Sequence, residues 1–156
     1  MAKRELTLLL VLIFITGLLV LWTVIKSEKW TISKGKLTFS ETAVTFSISG
    51  ETKVFPEFIR EVIVDPFKVK EGEKQTFSIW VKDPKGVEKL IGKIKTDTKE
   101  EIIEFNLVEG TVKEGRWLGS WATKDILTQS SYSTVFQAKN KDDKETEIPL
   151  YWYVEK

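Results

Sequence analysis

The side chains that most often carry chemistry are missing from this chain. Its 156 residues include no histidine and no cysteine. That removes the commonest general base, the usual zinc ligands and every thiol nucleophile. No Gly-x-Ser-x-Gly turn and no phosphate-binding glycine loop occurs. Carboxylates and aromatic rings remain. Asp83, Asp97, Asp142 and Asp143 fall in expected turns, and calcium needs several such oxygens to converge. Their spacing matches no calcium loop, so they read as solvated turn acids. Paired carboxylates for glycoside hydrolysis need a cleft between them, and a chain this short without a long insertion is not expected to form one. The expectation is no catalytic residue, no metal site and no cofactor.

The aromatic residues point to contact rather than catalysis. Trp117 and Trp121 share one strand face with Gly119 between them. Such a pair suits sugar stacking, which leaves a glycan as the lesser partner reading. Large rings dominate sandwich interiors, so core placement is expected for both. Trp80 lies on the opposite strand face from Phe77, Ile79 and Val81, and Tyr151 and Tyr153 oppose Leu150 and Trp152. Trp80, Tyr151 and Tyr153 are therefore the candidate contact surface, for a protein partner or a second copy of the chain.

Charge narrows the partner class. The net charge is +1, and beyond residue 5 the basic and acidic residues are equal in number with their signs interspersed. Nucleic acid wants a basic face, and anionic lipid wants a polybasic cluster. Neither is present.

The elements that must position these rings are strands. Apolar residues alternate at Phe77, Ile79 and Val81, at Ile103, Phe105 and Leu107, at Tyr132, Thr134, Phe136 and Ala138, and at Ile148, Leu150 and Trp152. Turn signals separate the runs, among them Glu71-Gly72, Asp83-Pro84-Lys85-Gly86, Glu114-Gly115 and Asn140 to Asp143. The pattern predicts a hairpin over 36–40 and 43–49. Further strands are expected at 60–65, 74–82, 88–96, 101–108, 116–122, 131–139 and 145–153. The fold class expected is all-β, an antiparallel sandwich.

A different segment precedes the strands. Leu6 to Ile25 is an uncharged run of 20 residues. A hydrocarbon core of about 30 Å needs about 20 helical residues. The run exceeds a signal-peptide core and no small-x-small cleavage site follows it, so an uncleaved transmembrane signal anchor is expected. The short N-terminal tail favours N-terminus in and C-terminal domain out, with Trp22 and Trp30 at the membrane interface. The division expected is 1–29 as tail and anchor, 30–58 as hairpin or stalk, and 59–156 as sandwich.

Two resemblances add to this reading. Val64-Asp65-Pro66-Phe67-Lys68-Val69-Lys70-Glu71-Gly72-Glu73 precedes the alternating strand Phe77-Ser78-Ile79-Trp80-Val81 and the turn Asp83-Pro84-Lys85-Gly86. That order resembles the opening of bacterial and archaeal immunoglobulin-like, or fibronectin-III-like, surface domains. Gly115-Arg116-Trp117 and the run from Tyr132 to Ala138 resemble later strands of the same family. The resemblance covers about residues 60–153. It implies a Greek-key immunoglobulin-like sandwich, a tyrosine-corner bond from Tyr132, and adhesion, spacing or envelope contact without enzymatic activity. Glu5 before a long apolar run resembles the N-terminus of type IV pilins, which implies a filament or membrane-complex subunit. The chain departs from that pattern. No glycine precedes the run, no phenylalanine stands at the matching place, and Glu5 lies before the run rather than inside it. The leading expectation is a membrane-anchored, extracytoplasmic binding or structural module on a prokaryotic cell surface.

Overall fold

The computed structural model describes residues 37–48 and 54–155. The expected anchor Leu6 to Ile25, with Trp22 and Trp30, lies outside the described residues. Among the described residues no helix is long and apolar enough to cross a membrane. Every described strand belongs to one compact unit, Lys34–Lys156.

Ten strands alternate with short turns: β1 Val44–Ser47, β2 Glu57–Asp65, β3 Lys68–Val69, β4 Lys74–Lys82, β5 Val87–Lys95, β6 Glu100–Glu104, β7 Asn106–Thr111, β8 Glu114–Ala122, β9 Ser131–Asn140 and β10 Glu145–Val154. They form two five-stranded sheets. One runs β1-β2-β4-β8-β7 and the other β3-β10-β9-β5-β6. All pairings are antiparallel except that of β3 with β10. The all-β class expected from the alternating runs is the observed one.

The inner faces carry the apolar sets read from the sequence. Phe77, Ile79 and Val81 of β4 meet Phe136 and Ala138 of β9 and Trp152 of β10 in one buried cluster. The sheets interlock through edge-to-face rings, Phe77 on Phe136 at 5.4 Å and Trp121 on Trp152 at 6.0 Å. Trp117 is buried and Trp121 packs against the core, as expected for that pair. Gly119 between them is a close-approach position. A Cβ there would lie 2.8 Å from the Ile103 Cγ2 methyl and from the Phe105 ring.

Two strand expectations are corrected. The run 101–108 is not one strand. It splits at Phe105 into β6 of the second sheet and β7 of the first. The inward alternation of Ile103, Phe105 and Leu107 continues through the crossing, so periodicity hides the change of sheet. The hairpin over 36–40 and 43–49 does not form, because 37–40 is irregular. β1 pairs instead with β2, Val44 opposite Val64 and Phe46 opposite Val62. That exchange places Phe46 against the core. Part of the 30–58 segment is thus a strand of the sandwich.

Candidate interaction surface

The outer face of the first sheet shows what becomes of an outward aromatic residue when neighbours close over it. Trp80 points away from the core residues of β4, yet it is only 7% exposed. Its cover comes from two arginines. The Arg60 guanidinium lies 4.1 Å from the ring centroid and that of Arg116 lies 5.3 Å away. Arg116 sits directly across the β4–β8 ladder from Trp80. Arg60 arrives by a bulge, since Ile59 opposes Trp80 and Val62 opposes Ile79 with two residues between them. Its φ of 62° turns the backbone into the left-handed region, which is costly for a side chain of this kind. Carboxylates hold both guanidiniums. Arg60 pairs with Glu114 at 2.6 Å, and Arg116 pairs with Glu61 at 3.1 Å and Glu109 at 3.4 Å.

The outer face of the second sheet has no such lid. Tyr151 is 64% exposed and Tyr153 is 46% exposed, both on β10. Their cross-strand partners on β9 are Ser133 and Ser131, which are too short to cover a ring. Tyr153 leans edge-on against Phe67 at 5.4 Å, and Phe67 meets Phe46 at 5.5 Å. Across the same face Ile102 on β6 is 60% exposed and stands opposite Lys93. Lys93 opposes Val135, which opposes Pro149. Of the three aromatic residues singled out from sequence, the structure places Tyr151 and Tyr153 together and Trp80 on the other sheet. Ile102 joins the open face although sequence reasoning did not select it. Its place between Glu101 and Glu104 in an alternating run was the available signal.

The carboxylates of Asp83, Asp97 and Asp143 are engaged within the fold. Asp83 is buried between two turns. It accepts hydrogen bonds from the Lys85 and Gly86 N–H groups at 2.7 and 3.0 Å and from Asn140 Nδ2 at 2.8 Å. Asn140 Oδ1 in turn accepts from the N–H groups of Asp142 and Lys144, closing the β9–β10 hairpin. Asp143 pairs with Lys139 at 2.6 Å. Asp97 accepts from the Leu127 and Thr128 N–H groups, the Thr128 hydroxyl and, at 2.5 Å, the Tyr132 hydroxyl. The Tyr132 bond leads these donors in holding the Asp97 carboxyl down at about 2. Burial, followed by this same bond to Asp97, pushes the Tyr132 phenol up. The Gln129 N–H completes the corner by donating to the Tyr132 oxygen at 3.2 Å. Asp125 is lowered by the hydroxyls of Thr96 and Thr98, which tie the β5–β6 turn to the β8–β9 loop. Among the described residues no three carboxylates converge as a metal site would require.

The open grooves among the described residues include two on or beside the second sheet. One, of about 210 Å³, is lined by Lys89, Ile91, Gln137, Lys139 and Glu145. The other, of about 370 Å³, runs past Val44, Phe67, Lys68 and Glu155 beside the Tyr153 stack. No protein-family model matches this sequence, and no curated protein matches it either.

Proposed function

We propose that this chain is a non-catalytic binding module, an immunoglobulin-like sandwich held at a prokaryotic cell membrane by Leu6 to Ile25 and displayed outside the cytoplasm. The observation that carries the binding role is the uncovered pair Tyr151 and Tyr153, on a sheet face without the arginine lid that closes over Trp80 on the other sheet. Large amphipathic rings on an open face are the usual anchors of protein contacts. The strand order supports the immunoglobulin-like assignment. With β2, β4, β8 and β7 as strands A, B, E and D, the second sheet supplies C, F and G as β5, β9 and β10. Tyr132 then falls near the start of strand F, and its hydroxyl receives the Gln129 N–H three residues upstream, where a tyrosine corner places it. The anchor rests on the length and lack of charge of Leu6 to Ile25.

The test is photo-crosslinking in the cells that make the protein. A benzoylphenylalanine replaces Tyr151 in the full chain, and a control carries it at Ser120 on the other sheet. A discrete membrane-fraction adduct from position 151 alone is expected. Equal adducts from both positions, or none from 151, would sink the reading. An adduct of twice the chain's mass identifies the partner as a second copy.

A further inference from the structure

We infer that the free edge of β6 is a strand-addition site for an extended segment that carries basic residues at i and i+4 around an apolar residue at i+2. The inference rests on the binding-module reading and names the chemistry of its partner.

Among the described residues four strands end the two sheets: β1 and β7 in one, β3 and β6 in the other. Three are poorly suited to receive another strand. β3 has two residues. β7 is bulged between Leu107 and Glu109, and Gly110 turns left-handed at φ 82°. β1 has four residues and no charge with which to select a partner. β6 offers five residues in unbroken register with β5, from Glu100 opposite Lys95 to Glu104 opposite Ile91. Such an edge is a template for pairing unless it is blunted.

Its backbone direction is fixed by the ladder. The Phe105 N–H donates to the Leu90 carbonyl. In an antiparallel ladder the direction alternates, so Ile103 and Glu101 also face β5. Glu100, Ile102 and Glu104 therefore present their N–H and C=O groups to the free side. The same three side chains stand exposed on the outer face. An incoming strand meets a row reading acid, isoleucine, acid.

Neither acid of that row is held in an ion pair among the described residues, although Lys95 stands opposite Glu100 across the ladder. Lys93, the lysine nearest to Ile102, is drawn to Glu147 at 3.6 Å. Lys99 and Lys124 both turn to Glu101, at 2.6 and 3.4 Å. The charges also decide which occupant fits. A second copy pairing antiparallel about Ile102 would set Glu100 against Glu104 twice, and like charges directly opposite are destabilising. The edge rejects itself and selects a strand of opposite sign. Main-chain bonds supply the affinity and the flanking charges the specificity.

The test uses the full chain in mild detergent with dye-labelled, end-blocked peptides read by fluorescence anisotropy. The probe is Thr-Lys-Thr-Val-Thr-Lys-Thr, compared with its Glu-for-Lys counterpart. Two exposed cross-strand ion pairs should favour the basic peptide by roughly tenfold. Methylating the valine amide nitrogen, which would face Ile102, should abolish binding. Methylating a neighbouring threonine amide, which faces away, should not. The double variant Glu100→Lys with Glu104→Lys should reverse the preference, and both sites are exposed enough to keep the fold. Equal binding of the two peptides, indifference to the valine methyl, or no binding at millimolar peptide overturns the proposal. The Tyr151 crosslink stands or falls independently, so loss of the edge site is distinguishable from loss of the binding-module reading.

Discussion

On the first sheet Trp80 faces outward beneath two guanidiniums, while on the second Tyr151 faces outward over a serine. Both rings sit on strands of nine or ten residues, and both oppose the same buried core. Exposure of an aromatic ring is thus not forced by this fold. The first sheet reaches its cover by inserting two residues into β2 and tolerating an unfavourable φ at Arg60. The second sheet makes no comparable adjustment. The comparison separates an aromatic residue that stabilises from one that is left available.

The largest effect that sharpens this contrast comes from truncating each ring in turn. Trp80→Ala removes a buried indole and strands two arginines, and should cost about 3–5 kcal/mol. Tyr151→Ala removes an exposed ring and should stay within about 0.5 kcal/mol. Urea denaturation of the two variants measures both. Similar losses would break the contrast, because Tyr151 would then be structural as well.

A second test asks whether the inner faces are as tight as the contrast assumes. Gly119→Val would drive its side chain into Ile103 and Phe105, where even a Cβ lies at 2.8 Å. Overpacking of this kind costs about 1–3 kcal/mol. A neutral result, again from the urea midpoint, would mean that the sheets separate readily and that the outer faces are not held at fixed positions.

The sequence made the inner faces legible and left much of the outer faces obscure. Alternation placed Phe77, Ile79, Phe136 and Trp152 inward because a strand's period is local. It also placed Tyr132 on the inward face, while the corner bond came only from the resemblance. It could not show that Asp97 is the partner of the Tyr132 hydroxyl, 35 residues away. Nor could it show the lid over Trp80, since Arg60 and Arg116 lie 20 and 36 positions from it and meet it only through the ladders. The crossing at Phe105 was invisible for the opposite reason. Its alternation is perfect, and only the partner strands change.

Acid should loosen the support of the open face. Tyr132 stacks on Trp152 at 5.5 Å, and Trp152 lies between Tyr151 and Tyr153 on β10. Asp97 anchors that stack through the Tyr132 hydroxyl. Its folded pKa of about 2 lies below the ordinary value of 3.8. The charged form is therefore stabilising above pH about 4, and this contribution is lost as pH falls through about 2. Asp97→Asn should be less stable at neutral pH and should lose less stability between pH about 4 and 2. Urea midpoints across that range decide the matter, and parallel acid limbs in the two proteins would remove Asp97 from the account.

The smallest expected effect bears most directly on the lid. Arg60→Gly relieves a left-handed φ of 62°, worth about 1 kcal/mol for a residue with a side chain. It also removes a cation–π contact of about 0.5–1 kcal/mol and an exposed ion pair of about 0.2–1 kcal/mol. These terms nearly cancel, so stability should change by less than about 1 kcal/mol. Access to Trp80 should change clearly, because the closer of its two covering guanidiniums is gone. Acrylamide quenching of tryptophan fluorescence should rise relative to the parent, while Arg60→Lys should give an intermediate value. If quenching is unchanged by Arg60→Gly, Arg116 and the strand neighbours cover the ring unaided. The bulge at Arg60 would then need a reason other than shielding Trp80.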